Sequence, residues 1–435
     1  MRFMLRLTYN DRRRLERIPR QELRQRQFER LSALLTEVVA HNRFYAEKLA
    51  GVPLPLSSLD DLSKLPYTFK DELVTAPAAG EFAANLTYPL PRYVRYHRTS
   101  GTRGRPMAVL DTAEDWQWWI ESWQYVLDAA DVGPEDCVLM AFSFGPFIGF
   151  WSASDAAAAR GAMVVPTGGM NTLARVETIR ATQATVVCCT PSYALRMAEV
   201  ADENQINTAA LKVRKIIVAG EPGGSLPHVR RRIEEAWDAT VIDHAGASEV
   251  GPWGHGDAEH RGLHVIESEF IAEFLSVASG GPADDGELAE LVITPLGRIG
   301  SPVIRYRTGD LVRPRVRHGG ANQFVLLEGG VLGRADDMLI VRGVNIFPSS
   351  LDQIIRGFPE VVEYRAVVTR SGNIDALTLQ IEDRLNAPDR VARELRLRLG
   401  LKVDVCCVPL GTLPRFEGKG SRFIDQRGEP GDWQV

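Results

Sequence analysis

Ala184-Thr185-Val186-Val187-Cys188-Cys189 leads into a helical run from Tyr193 to Ala201. The alternation then repeats with Arg214-Lys215-Ile216-Ile217-Val218, Val229 to Trp237 and Ala239-Thr240-Val241-Ile242-Asp243. Short, continuous apolar runs of this kind are strands covered on both faces, and the segments between them carry helical spacing. Strand, helix, strand, helix, strand predicts a parallel sheet sandwiched between helices. The rhythm extends outward toward the N-terminus: helix Asp115 to Ala129, strand Val138 to Phe142, helix Phe150 to Arg160, strand Ala162 to Val165, helix Leu173 to Ala181. Toward the C-terminus, Gly286 to Thr294 and Val303 to Val312 read as strands of a second sheet. Composition shifts near Gly329-Gly330, and a compact segment of strands and two helices (Ser349 to Gly357 and Asp389 to Leu399) follows Gly333. The expected fold class is α/β: a large N-terminal domain, 1–332, with mixed, mainly parallel sheets covered by helices, and a small mobile α+β C-terminal domain, 333–435, hinged near Arg334 to Asp337.

Composition narrows the function. A chain of 435 residues with 45% apolar and 25% charged residues is a folded protein too long for one small core. Its net charge of −5 argues against nucleic acid or an anionic membrane as partner. The basic helical N-terminal region interleaves acids with its arginines, as a solvated face does. Met1 to Leu7 lacks an apolar core of signal-peptide length, so a cytoplasmic location is expected. The five cysteines, Cys137, Cys188, Cys189, Cys406 and Cys407, all lie in apolar runs and are expected as reduced core residues. Adjacent cysteines in a strand face opposite ways and are poorly placed to share a metal. Only seven of the 51 basic residues are lysine, which draws attention to Lys419 between Gly418 and Gly420.

One loop carries chemistry. Thr99-Ser100-Gly101-Thr102-Arg103-Gly104-Arg105-Pro106 packs hydroxyls, glycines and guanidinium groups into a short span suited to a polyphosphate. The flanks, Tyr93 to His97 and Met107 to Leu110, read as strands, so the loop is a hairpin tip and not a Walker A turn. Other glycine-rich loops follow strands directly at Gly145-Pro146, Gly168-Gly169, Gly220 to Gly224 and Ala245 to Glu249. Loops at the carboxyl ends of parallel strands line one cleft.

Further short patterns follow in order: Gly220-Glu221-Pro222, Ser248-Glu249, Tyr306-Arg307-Thr308-Gly309-Asp310, Gly333 to Asp337, Arg342 to Pro348, and Gly418-Lys419. With the Thr99 loop they resemble the adenylate-forming superfamily of acyl-CoA synthetases and adenylation domains, nearest its phenylacetate–CoA ligase branch. The resemblance implies ATP-dependent activation of a carboxylic acid to an acyl-AMP, then transfer to coenzyme A. It implies that Thr99, Ser100, Gly101, Thr102 and Gly104 hold the triphosphate and that Glu249 binds magnesium. Gly220, Glu221 and Pro222 would border adenine, in a nucleotide site that also includes His244, Ala245, Gly246 and Ser248. Asp310 would take the ribose hydroxyls and Arg334 would support ribose and phosphate. Lys419 would bridge the substrate carboxylate and the α-phosphate. Asp336 matches the hinge, and Arg342 and Gly343 would face the thioester-forming site after the small domain rotates. A homodimer is a further expectation. Two alternatives stay open: an adenylating enzyme that serves a carrier protein or an amine, and a catalytically weakened ligand sensor.

The chain departs from the family pattern at two places. Arg103 and Arg105 stand where the loop usually has Thr and Lys. Ala245 replaces an aromatic residue that stacks on adenine, a loss of about 1–3 kcal/mol by analogy with base stacking elsewhere. The acid pocket is expected around Phe142, Phe144, Phe147, Ile148, Gly149, Phe150, Gly168, Met170 and Ala247, a wall suited to a flat aromatic acid. No lysine or arginine lies between Val138 and Ala159, which argues against a second carboxylate on the substrate. His255, His260 and His264 have the residue type of a zinc site but are expected as ordinary histidines.

Overall fold

The computed structural model describes residues 5–74, 82–99, 106–257, 259, 261–316, 321–335, 339–341, 344–346, 348–371, 374–414 and 422–427. Its centre is a nine-stranded sheet. Five strands, Met163–Pro166, Cys137–Met140, Val186–Cys189, Lys215–Val218 and Thr240–Ala247, are parallel neighbours in that order. The sheet then continues antiparallel through Gly251–Gly256, Gly262–Val265, Leu326–Glu328 and Pro314–Arg315. The sequence rhythm marks the parallel part, whose central strands are buried and apolar apart from the partly exposed Lys215. Gly251–Gly256 is equally buried but carries three glycines and a proline, so it lacks the β-branched signature of a strand.

The two faces of the sheet hold separate cores. Cys188 belongs to the core that contains the tryptophans of the helix Ala113–Ala129, and Cys189 belongs to the core under the helices Pro191–Glu203 and Pro227–Trp237. Alternating strand geometry puts neighbouring cysteines on opposite faces. Cys406 corrects the expectation that all five cysteines are core residues. It is exposed, because Asp404–Cys407 is an edge strand with alternating burial.

The helix Ala113–Ala129 starts at a capping box formed by Thr112 and Asp115. It buries Trp116, Trp118, Trp119 and Trp123, and three of these indole N–H groups reach carboxylates. Trp116 donates to Asp155 at 2.8 Å, Trp118 to Glu269 at 2.7 Å and Trp119 to Asp111 at 3.2 Å. A buried indole is stable in a core when its N–H is satisfied in this way.

The strands Phe270–Ser276, Ala289–Pro295, Tyr306–Val312 and Gly333–Arg334 form a second, antiparallel sheet. A third core gathers residues from Val341 to Val403 beneath the helices Pro348–Ile355 and Pro388–Leu399. Its sheet orders Asp404–Cys407, Ile374–Asp383, Val361–Ser371 and Phe423–Asp425. No described helix is long and apolar enough to cross a membrane.

Candidate functional site

The site is organised by the strand Thr240–Ala247. It runs parallel to Lys215–Val218 as far as Asp243, and from His244 onward it pairs antiparallel with Gly251–Gly256. Ala245, Gly246 and Ala247, expected as a loop, are therefore strand residues, with an irregularity in register between Ala245 and Ala247. The sheet changes sense at the carboxyl end of its parallel half, where α/β sheets bind ligands. Side chains alternate along this strand. Asp243 accepts the Ser225 hydroxyl at 2.5 Å, and a Cβ at Gly224 would lie 2.5 Å from its carboxylate. Burial raises the Asp243 carboxyl to about 6, against those hydrogen bonds. The His244 ring lies on the opposite side, 4.3 Å from the Trp123 ring centroid.

Glu249 follows the strand and is 8% exposed. Its Oε1 accepts the Tyr306 hydroxyl at 2.8 Å and lies 3.7 Å from Lys70 Nζ. Its backbone carbonyl accepts from Arg298 at 2.6 Å. Arg298 also donates to Asp111 at 2.7 Å, in the second strand of the Thr99 hairpin. A buried ion pair thus connects the hairpin to Glu249. Burial and the Glu249 charge push the Tyr306 hydroxyl upward, so it stays a donor. Oε1 is thereby fixed, and Oε2 takes no hydrogen bond from any described residue. A held carboxylate with a free oxygen fits a hard divalent cation such as magnesium.

The hairpin is present: Tyr93–Arg98 pairs antiparallel with Ala108–Thr112. Thr99 closes its mouth, accepting the Met107 N–H on Oγ1 at 3.0 Å and donating its own N–H to the Met107 carbonyl at 3.0 Å. Ser100, Gly101, Thr102 and Gly104 lie outside the described residues, as do Asp336, Arg342, Gly343, Lys419 and His260. Gly220 adopts φ +94°, a conformation open to glycine, and Glu221 accepts the Ser192 N–H at 2.7 Å. Asp310 and Arg334 are cross-strand neighbours joined at 3.1 Å.

The aromatic wall assembles as rings edge to face. Phe142 meets Phe144 at 5.9 Å and Phe150 at 5.7 Å, and Phe144 meets Trp151 at 4.6 Å. Trp123 joins it through Phe150 at 6.3 Å. Gly149 (φ +39°) is obligatory here, since a Cβ would lie 1.8 Å from the Phe142 ring. A Cβ on Gly168 would lie 3.3 Å from Phe144. Ile148, Ala245 and Ala247 pack on the same core, whereas Phe147 and Met170 are exposed. The wall is tied to the hairpin by the Arg98 N–H, which donates to the Pro146 carbonyl at 2.6 Å.

Five partners in this site went unassigned at the level of sequence: Lys70, Asp111, Trp123, Arg298 and Tyr306. Two carried a signal. Tyr306 begins the Tyr306-Arg307-Thr308-Gly309-Asp310 run, and Lys70 is one of the few lysines. His255 and His264 pair across neighbouring strands, and His264 Nε2 lies 2.9 Å from Asp257. Among the described residues, no group of His, Cys, Asp and Glu is arranged to hold a metal ion.

The chain is similar to known proteins. Residues 93–268 match the AMP-binding enzyme family, and residues 343–427 match the AMP-binding enzyme C-terminal domain. The phenylacetate-coenzyme A ligase of Thermus thermophilus is 32% identical, covering 95% of this chain and 98% of that protein. The Escherichia coli phenylacetate-coenzyme A ligase is 33% identical, covering 93% and 95%. A crystal structure of 2-hydroxyisobutyryl-CoA ligase in the postadenylation state, with an acyl-AMP, superposes with a TM-score of 0.90 at 26% identity, covering 97% of this chain and 94% of that one. The same ligase in its thioesterification state, with CoA, superposes at only 0.72, with 27% identity and the same coverage.

Proposed function

Because the chain belongs to the AMP-binding enzyme family, in its phenylacetate-coenzyme A ligase branch, we propose that it activates an aromatic carboxylic acid with ATP and transfers the acyl group to coenzyme A. The observation that carries the reading is the junction at Glu249. A buried carboxylate with one oxygen held by Tyr306 is bridged through Arg298 and Asp111 to the Thr99 hairpin, and that hairpin is bonded to the aromatic wall.

In the first half-reaction a carboxylate oxygen of the acid attacks the α-phosphorus of ATP. The new P–O bond forms as the bond to the bridging oxygen of pyrophosphate breaks. Two anions must meet, so the step depends on preorganised positive charge and on alignment. The hairpin, with Thr99, Ser100, Gly101, Thr102 and Gly104, grips the triphosphate. Glu249 would hold magnesium through Oε2, and the ion would supply charge neutralisation at the phosphates. Gly220, Glu221 and Pro222 border adenine, Asp310 binds the ribose hydroxyls, and Arg334, already paired with Asp310, steadies them. Lys419 bridges the acid and the α-phosphate. In the second half-reaction the CoA thiol loses its proton, sulfur attacks the acyl carbonyl, and AMP leaves with the anhydride oxygen.

The small domain, 333–435, turns about Asp336 between these steps, withdrawing Lys419 and bringing Arg342 and Gly343 to the thioester site. A similar ligase has been solved in both a postadenylation and a thioesterification state, which supports the reading of two arrangements. The test is a reaction of protein, ATP, magnesium and aryl acids with and without CoA, read by mass spectrometry. Aryl-CoA formed only with CoA present is the expected product. Acid-dependent acyl-AMP that is never transferred to CoA would move the assignment to a carrier-protein or amine acceptor.

A further inference from the structure

We infer that His244 sets the specificity of the acid pocket: its Nε2 accepts a hydrogen bond from a hydroxyl or amino group carried on the ring of the bound acid. This rests on the proposed reading of the site as an aryl-acid pocket. It assigns the histidine to the acid side of the site, whereas its place in the sequence put it with the nucleotide.

The face is decided by alternation along the strand Thr240–Ala247. Asp243 points to Ser225 and Gly224, in the loop that opens with Gly220. His244 points the other way, to Trp123, and Trp123 continues through Phe150 and Phe142 to Phe144. The ring is 7% exposed among aromatic neighbours.

The tautomer is decided by one bond. Nδ1 lies 2.7 Å from the Gly254 carbonyl oxygen, which only accepts, so Nδ1 carries the hydrogen. Burial lowers the ring to about 4, so it is neutral near pH 7 and Nε2 presents a lone pair. No described residue donates to Nε2. A Cβ built on Gly246 would stand 3.4 Å from Nε2.

Nε2 is not sealed among the buried atoms that lack a partner, so a ligand that covers it without offering a donor leaves it unpaired, at a cost of about 1–3 kcal/mol. A ligand that brings its own donor to Nε2 avoids that cost. The chemistry of that donor follows from charge. A neutral acceptor, with no lysine or arginine from Val138 to Ala159, suits a neutral hydroxyl or amine and disfavours a second carboxylate.

The experiment measures acid-dependent pyrophosphate exchange for phenylacetate and benzoate and for their ring-hydroxylated and ring-amino derivatives. It uses the full-length protein, His244→Leu and His244→Gln. The expected result is a preference of at least about 10²-fold in kcat/KM for one donor-bearing acid over its unsubstituted parent. That preference should fall to a few-fold in His244→Leu and persist in part in His244→Gln, which keeps an acceptor. KM for ATP should stay constant across the three proteins. A preference that survives His244→Leu overturns the inference, as does a rise in the ATP KM that is equal for every acid, which would return His244 to the nucleotide. Thermal shift of the unmodified protein by the same acids is independent of how the variants fold, and equal shifts by parent and donor-bearing acids also overturn it. Exchange supported only by aliphatic acids would overturn the aryl-acid reading itself, and this inference with it.

Discussion

The polar side and the packed, aromatic side of the site are built from different forces. Each polar group is held by directional bonds: Ser225 on Asp243, Tyr306 on Glu249, Ser192 on Glu221, Arg334 on Asp310. Around His244 the contacts are ring against ring, with one nitrogen among them that no described residue meets. Directional bonds fix where charge is placed, which a polyanion needs whatever acid accompanies it. Packed rings fix volume and shape, which select among acids by increments of a methylene or a hydroxyl. Substitutions on the first side should therefore damage the rate of adenylation with all acids. Substitutions on the second should alter which acid is used.

The largest expected effect belongs to Lys419→Ala. Acid-dependent pyrophosphate exchange should fall by about 10²–10³-fold or more, by analogy with losing one preorganised donor, while CoA attack on supplied acyl-AMP continues. Equal losses in both half-reactions would remove Lys419 from the proposed role. Next is Glu249→Gln, which keeps the shape and the Tyr306 contact but removes the charge. Exchange should drop about 10²-fold and require more magnesium for half-maximal rate, to the same degree for every acid. An acid-dependent defect would break the division between the two sides.

A smaller effect is expected on the packed side. Gly149→Ala forces a methyl group into the Phe142 ring at a backbone conformation that disfavours side chains. Overpacking of this kind costs about 1–3 kcal/mol, and the acid KM should rise roughly tenfold while the ATP KM stays constant. Steady-state kinetics varying each substrate in turn separates the two outcomes.

The smallest effect on catalysis tests a charge remote from both sides. Burial raises the Glu16 carboxyl to about 7, despite Arg13 at 2.5 Å, with His255 at 3.7 Å and the Asp128 charge nearby. A carboxyl raised on folding stabilises the protein below its ordinary value of 4.5, and that contribution is lost as pH climbs from there through about 7. Glu16→Gln should therefore gain about 2–3 kcal/mol at pH 8 relative to pH 5, seen as a flatter pH dependence of the urea midpoint. Both substrate KM values should remain where they are.

Much of this molecule was legible because its parallel strands announce themselves. Val186–Cys189 and residues 216–218 are buried on both faces, and a stretch with no solvent face must be apolar throughout. Gly251–Gly256 was not legible. Its buried glycines serve close approach to Ala245 and to the Trp118 ring, a demand set by neighbours far away in sequence. Glu249, Asp310 and Arg334 could be picked out by motif, and the last two do meet. Arg298 and Asp111 could not, since a buried ion pair between positions so far apart leaves no local periodicity.

By itself, the sequence determined the alternation of strands and helices, the hairpin that presents the Thr99 loop, and the set of polar residues able to handle a nucleotide and an acid. Those follow from local spacing and from the chemistry of side chains in short runs. The tertiary structure decided which side of the strand each of Asp243 and His244 serves, which oxygen of Glu249 remains free, and which nitrogen of His244 carries its hydrogen. These depend on partners brought together from distant parts of the chain, on Ser225, Tyr306, Gly254 and Trp123, and a hydrogen bond has no direction until both of its ends are in place.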